Sequence, residues 1–107
     1  MAVQLLTDAD FRAQLAANPK VVVKYFADWC GNCKLFAPKF RRMSENPEFE
    51  GVLFVDVNAE QNPEARNLAG VDNLPFFATF KNGELVAATA TSKEEVVTEL
   101  LNTLKEY

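Results

Sequence analysis

The sequence has 107 residues, nearly half of them hydrophobic, and a formal net charge of −4. A chain of this length buries one core, so we expect a single domain over residues 1–107. The acidic balance argues against nucleic acid or an anionic membrane as partners, and no apolar run approaches the roughly 20 residues that a membrane-spanning helix needs.

Hydrophobic patterning predicts that strands and helices alternate through the first 60 residues. Residues 21–27 are apolar on both alternations, as in a strand covered on both faces, and Lys24 is their only charge. Residues 52–58 form a second such strand, whose only charge is Asp56. Three further elements surround these strands. A strand is predicted over 3–6, and Thr7 begins a helix that Asn18-Pro19 stops. A second helix follows Cys33; it has Pro38 in its interior and carries an apolar stripe of Phe36, Phe40 and Met43.

The second half of the chain predicts a short helix, a hairpin and a last helix. Asn62-Pro63 begins the short helix and Gly70 ends it. Strands over 76–80 and 84–90 are joined at Asn82-Gly83. A capping box at Ser92 to Glu95 then precedes a helix that buries Leu101 and Leu104. The strand–helix–strand unit in the middle implies two parallel strands with a right-handed crossover. Together these elements predict an α/β fold with a mixed sheet of about five strands and about four helices on its two faces.

The only two cysteines, Cys30 and Cys33, lie between the first central strand and its helix. Both sulfurs then fall in the helix's first turn, where free N–H groups and the helix dipole favour a thiolate. The spacing also lets the sulfurs form a disulfide and reopen it, so the pair indicates a redox dithiol in a reducing, cytoplasmic compartment. One alternative is half of a zinc site completed by a second subunit, since the chain has no histidine and no third cysteine. The other is an inert structural disulfide, although so short a loop stabilises little.

The two cysteines have separate expected roles. Cys30 precedes the helix and should be the more exposed, so we expect it to attack a substrate disulfide and form a mixed disulfide. Cys33 then attacks Cys30 and releases the reduced substrate. Trp29, at the end of the strand, is expected to form a contact surface beside the reactive thiol; the alternative is a core aromatic residue.

The segment around the cysteines reads Trp29-Cys30-Gly31-Asn32-Cys33-Lys34, and Leu74-Pro75 and Lys81-Asn82-Gly83 follow downstream. These motifs resemble the thioredoxin family, whose usual motif is Trp-Cys-Gly-Pro-Cys-Lys, and the resemblance covers nearly the whole chain. It implies the thioredoxin fold and a monomeric protein disulfide reductase that binds no metal and no cofactor. Reducing equivalents would then come from NADPH through a flavoprotein reductase. The alternative function is a thioredoxin-fold binding or chaperone module whose thiols are idle.

The resemblance also implies a substrate-binding surface at Leu74 and Pro75. In the family the proline is cis and faces the two cysteines, and Leu74 would offer its backbone groups to an extended substrate segment. By composition alone, Leu-Pro before a strand is merely a turn, and a cis X–Pro bond is uncommon.

Three residues depart from the family pattern. Lys24 stands where thioredoxins usually carry a buried aspartate, and Asp56 stands where they tend to place a lysine. We therefore expect an ion pair with exchanged signs, in which Lys24 favours the thiolate and Asp56 relays the proton of Cys33; the alternative is that Lys24 snorkels to water and Asp56 is unrelated. Asn32 replaces a proline and, beside Gly31, is expected to tune the pair by easing thiolate formation; the alternative is a neutral surface change.

Overall fold

The computed structural model describes residues 3–107, and Met1 and Ala2 of the predicted domain lie outside the described residues. A five-stranded sheet in the order β1-β3-β2-β4-β5 lies at the centre. The strands are Gln4–Leu5 (β1), Lys20–Phe26 (β2), Leu53–Asn58 (β3), Phe76–Lys81 (β4) and Glu84–Ala90 (β5). The α-helices are Asp8–Ala17 (α1), Gly31–Ser44 (α2), Pro63–Ala69 (α3) and Glu94–Lys105 (α4).

The sheet is mixed, as predicted. β2 pairs in parallel with β3, while β4 pairs antiparallel with β2 and with β5. The β2–β3 register sets Lys24 opposite Asp56 and Phe26 opposite Asn58. Asn82 and Gly83 both have positive φ in the β4–β5 hairpin, which is why this dipeptide was a reliable signal.

The sheet separates two hydrophobic clusters because successive side chains of a strand point to opposite faces. Val21, Val23 and Tyr25 of β2 belong to the cluster under α1 and α3. Val22 belongs to the cluster under α2 and α4, which contains Phe36, Phe40, Met43, Phe77, Val97 and Leu101. Lys24 of β2 follows Val22 on the α2 face, where its Nζ lies 5.5 Å from the centroid of the Phe40 ring.

The structure differs from the sequence-based expectation at two places. The capping box at Ser92 is wrong: α4 begins at Glu94 with Lys93 as its N-cap residue, and the Lys93 N–H donates to Thr91 Oγ1 at 3.0 Å. This hydrogen bond forms a turn just before the helix, so the helix starts one residue later than a capping box at Ser92 requires. The sequence also gave no sign of the 3-10 helix Pro47–Phe49, which Asn46 caps by accepting the Glu48 N–H.

Within residues 3–107, every helix is too short or too polar to span a membrane.

Candidate active site

A disulfide joins Cys30 and Cys33 at the N-terminus of α2. Cys30 is the N-cap residue of this 14-residue helix, and its N–H donates to the Ala27 carbonyl at 3.1 Å. The Cys33 N–H donates to Cys30 Sγ at 3.1 Å, so the sulfur of Cys30 occupies the position of a helix-capping acceptor. The two Cα atoms are 5.3 Å apart, a separation typical of a disulfide.

The two cysteines do not differ in exposure as the sequence led us to expect. Cys30 is 4% exposed and Cys33 is 3% exposed. In the disulfide, the Cys30 sulfur turns inward onto the Cys33 N–H, and Phe26 and Leu74 pack against the pair. Gly31 and Asn32 are exposed above it, and a Cβ at Gly31 would meet no atom within 4 Å.

The sulfurs bond to each other, so neither is left as a zinc ligand in this state. Across the part of the chain that the structure describes, no group of three or more histidine, cysteine, aspartate or glutamate side chains is arranged to hold a metal ion.

Leu74 borders the disulfide and is followed by the buried Pro75. The peptide bond between them is cis, which the family resemblance implied. Leu74 is half-buried and packs against the cysteine pair. Its N–H donates to the exposed Asn73 Oδ1 at 2.9 Å, so an extended substrate segment would replace a solvent-facing hydrogen bond there.

Trp29 is a surface residue, which excludes the alternative of a core aromatic. Its side chain is among the most exposed of the large hydrophobic residues, at 68%. The indole Nε1–H donates to Glu60 Oε2 at 2.6 Å. Sequence reasoning missed Glu60, because it is an exposed acidic residue with no local pattern and lies 31 positions from Trp29.

Lys24 and Asp56 lie side by side beneath the disulfide. The Lys24 side chain is only 4% exposed, so it does not snorkel to water, while the Asp56 side chain is 28% exposed. Lys24 Nζ is 3.5 Å from Asp56 Oδ1. At that separation the contact is an ion pair, and within residues 3–107 the buried Oδ1 makes no hydrogen bond.

Burial raises the pKa of Asp56 above its ordinary value, and the positive charges of Lys24 and Arg41 offset part of this rise. The carboxylate is therefore a stronger base than an exposed aspartate. A cavity of about 320 Å³ is lined by this pair and by Cys33. Its lining consists of Lys24, Phe26, Ala27, Asp28, Cys33, Lys34, Ala37 and Asp56.

Comparison with known proteins gives one consistent result. The thioredoxin family model matches residues 2–106. The chain is 36% identical over 86 residues to thioredoxin-1 of Schizosaccharomyces pombe, covering 80% of this chain and 82% of that protein. It is 29% identical over 106 residues to the thioredoxin of Alicyclobacillus acidocaldarius, covering 97% of this chain and all of that protein.

Solved structures agree. The structure of Plasmodium falciparum thioredoxin matches with a TM-score of 0.86 and 26% identity, covering 94% of this chain and 98% of that one. The short form of spinach thioredoxin F matches with a TM-score of 0.89 at 24% identity, covering 97% and 94% of the two chains. These likenesses confirm the thioredoxin fold that the resemblance implied.

The ion pair generates a stability prediction. Asp56→Ala strands a buried ammonium and should lower the free energy of unfolding by about 3–5 kcal/mol. Lys24→Ala should cost less, because the Asp56 carboxylate can reach water. The double variant should recover part of the sum, since neither charge is then left alone. A denaturant double-mutant cycle at one pH and in one redox state measures the coupling, and additive effects would show that the two side chains do not interact.

Proposed function

The chain belongs to the thioredoxin family and is a protein disulfide oxidoreductase, and from this premise we propose that Cys30 is the attacking thiolate and Cys33 the resolving thiol. The observation that carries the assignment is the hydrogen bond from the Cys33 N–H to Cys30 Sγ at the start of α2. A thiolate at Cys30 accepts this bond more strongly than a thiol does and lies at the positive end of the helix dipole.

The proposed reaction moves two electrons from the dithiol to a substrate disulfide. The Cys30 thiolate attacks one substrate sulfur, which forms a mixed disulfide and releases the other sulfur as a thiolate. Cys33 then loses its proton and attacks Cys30, which restores the Cys30–Cys33 disulfide and releases the second substrate thiolate. Trp29 precedes Cys30, and Leu74, joined by a cis bond to Pro75, packs against the cysteine pair; these three residues are the proposed substrate contacts.

Asp56 is the proposed acceptor of the Cys33 proton. Both residues line the same cavity, which gives the proton a route between them. Burial makes the carboxylate more basic, and the Lys24 ammonium beside it favours negative charge on the nearby sulfur.

Regeneration of the dithiol needs a reductant. We infer that electrons are transported from NADPH through a flavoprotein reductase to the Cys30–Cys33 disulfide, and that the chain works as a monomer in the cytoplasm. Family membership supports the electron source. The absence of further cysteines supports a reducing compartment.

The assignment of the cysteines predicts different failures for two variants. Cys30→Ser should abolish insulin reduction driven by NADPH and a thioredoxin reductase, because no nucleophile remains at the helix entrance. Cys33→Ser should trap substrates as mixed disulfides, which mass spectrometry detects as adducts. Trapping by Cys30→Ser instead would reverse the two roles, and an inactive wild-type protein would favour the binding module with idle thiols.

Asn32 is proposed to make the couple more oxidising, because its N–H and polar side chain stabilise the reduced thiolate form. Asn32→Pro should lower the reduction potential by about 30 mV, which corresponds to about 1.4 kcal/mol for a two-electron couple. Equilibration of both proteins against glutathione measures the difference. A proline variant that is equally or more oxidising contradicts the proposal.

The proton relay predicts a defect confined to one step. Asp56→Asn should slow the attack of Cys33 on the mixed disulfide by about 10²–10⁴-fold and leave the first attack by Cys30 nearly unchanged, because only the second step deprotonates Cys33. Single-turnover kinetics with a disulfide peptide separates the two steps. Equal slowing of both steps, or of neither, rules out the relay.

A further inference from the structure

Four polar or charged side chains are buried in the described part of the chain: Lys24, Asn58, Asn62 and Thr79. Asn58 and Asn62 have no part in the sulfur chemistry. They are the first and last residues of the segment 58–62, which begins at the last residue of β3. We call this segment the indole-support loop because its Glu60 accepts the hydrogen bond from the Trp29 indole. Buried amides that take no part in the chemistry usually fix a particular backbone conformation, here that of the indole-support loop.

The two asparagines fold the indole-support loop onto itself. Asn58 Oδ1 accepts the backbone N–H of Glu60 at 3.0 Å, and the side-chain amide of Asn62 donates to the Asn58 carbonyl at 3.0 Å. The Ala59 N–H also donates to the Phe26 carbonyl at 2.8 Å, which ties the loop to the end of β2. Glu60 is therefore presented from a fixed backbone.

Asp8, the first residue of α1, anchors this loop from the other end of the sequence. Its backbone N–H donates to Asn62 Oδ1 at 2.8 Å. Its carboxylate accepts the N–H groups of Glu64 and Ala65 at 3.0 and 2.8 Å. Asn62 is the N-cap residue of α3 by position but makes no capping hydrogen bond with its side chain, so Asp8 satisfies the free N–H groups of that helix instead.

Trp29 needs such an anchor more than a buried side chain does. An indole that is 68% exposed has little packing to select one rotamer, and its hydrogen bond to Glu60 is the contact that fixes it. A substrate that docks against an already ordered indole loses less entropy on binding.

We propose that Asp8 is a positioning residue for substrate docking: its carboxylate holds the start of α3 at the end of the indole-support loop, and through that loop and Glu60 it keeps Trp29 in the orientation that contacts protein substrates. This rests on the proposed role of Trp29 as a substrate contact. It assigns a function in recognition to a residue on α1, outside the lining of the site. Small disulfides that do not reach Trp29 should not depend on Asp8.

A purely structural role for Asp8 is the competing explanation, because Asp8 also joins α1 to α3 beside the exposed Arg12–Glu64 ion pair. Asp10 provides a matched control. It lies in the same first turn of α1 with the same charge, but its carboxylate accepts only the neighbouring Thr7 N–H, at 2.9 Å. Asp8→Ala and Asp10→Ala therefore remove equal charge and one capping side chain each. Asp8→Ala keeps the backbone N–H that binds Asn62 but removes the carboxylate that holds the start of α3, so only this variant loosens the end of the loop that runs into α3.

The first measurement follows Trp29 directly, which is possible because it is the only tryptophan in the chain. Hydrogen exchange of the indole N–H, measured by NMR under conditions where every variant is folded, should be about 2–10-fold faster in Asp8→Ala, the factor expected for weakening one hydrogen bond. Asp10→Ala should exchange like the wild type. Unchanged exchange in Asp8→Ala, or equal acceleration in both variants, would overturn the proposal.

The second measurement tests docking. Asp8→Ala should lower kcat/KM for insulin by about 2–10-fold, mainly through KM, and should leave the rate with a small aromatic disulfide unchanged. In a Trp29→Phe background, which lacks the indole N–H, Asp8→Ala should have no further effect on insulin reduction. A loss with both substrates, a loss that persists in the Trp29→Phe background, or faster indole exchange with no loss at all each contradicts the docking role. These outcomes are distinct from a wild-type protein that reduces no insulin, which would contradict the proposed function itself.

Discussion

The parallel pairing of β2 with β3 is the constraint on which the site depends. Its register sets Lys24 opposite Asp56, and it also sets Phe26 opposite Asn58, where the indole-support loop begins. A slip of one residue would turn the side chains of β3 to the opposite face, separating the charges and burying the loop's polar groups on the wrong side. The ion pair below the disulfide and the support of Trp29 at its rim thus follow from a single backbone alignment.

The cost of burying the ion pair is limited because only one of its two side chains is fully enclosed. Lys24 is enclosed, but the ring of Phe40 lies 5.5 Å from its Nζ and offers the negative face of an aromatic group. Asp56 keeps a partial opening to the cavity, yet its pKa remains raised, so its partner does not fully offset the cost of burial. A pair whose burial is only partly offset and which lines a cavity with Cys33 is consistent with the proposed role in proton transfer.

Patterns within short stretches of sequence predicted the fold well, but they did not predict hydrogen bonds between residues that are distant in sequence. The strand–Cys-x-x-Cys–helix segment, the Asn82-Gly83 hairpin and the alternation of β2 each depend on neighbours within a few residues. The predicted capping box at Ser92 was wrong because the Lys93 N–H binds Thr91 Oγ1 in a turn instead, and composition alone does not predict that turn. The prediction that Cys30 is the more exposed cysteine was wrong because Phe26 and Leu74, which are distant in sequence from each other, pack against the cysteine pair. Glu60 and Asp8 reach partners 31 and 54 to 57 positions away, and such hydrogen bonds leave no periodic signal.

The two faces of the sheet divide the work of the site. Lys24 lies on the α2 face and lines one cavity with Cys33, so the proposed proton transfer takes place on that side. Tyr25, the next residue of β2, points to the opposite face and donates its hydroxyl to the Ala65 carbonyl at 2.9 Å, next to the N–H that Asp8 caps. Burial, and then the charge of Asp8, raise the pKa of Tyr25, which keeps this hydroxyl protonated as a donor. Because alternate residues of one strand point to the two sides, the recognition role proposed for the α1–α3 side can change without altering the acid–base chemistry proposed for the α2 side.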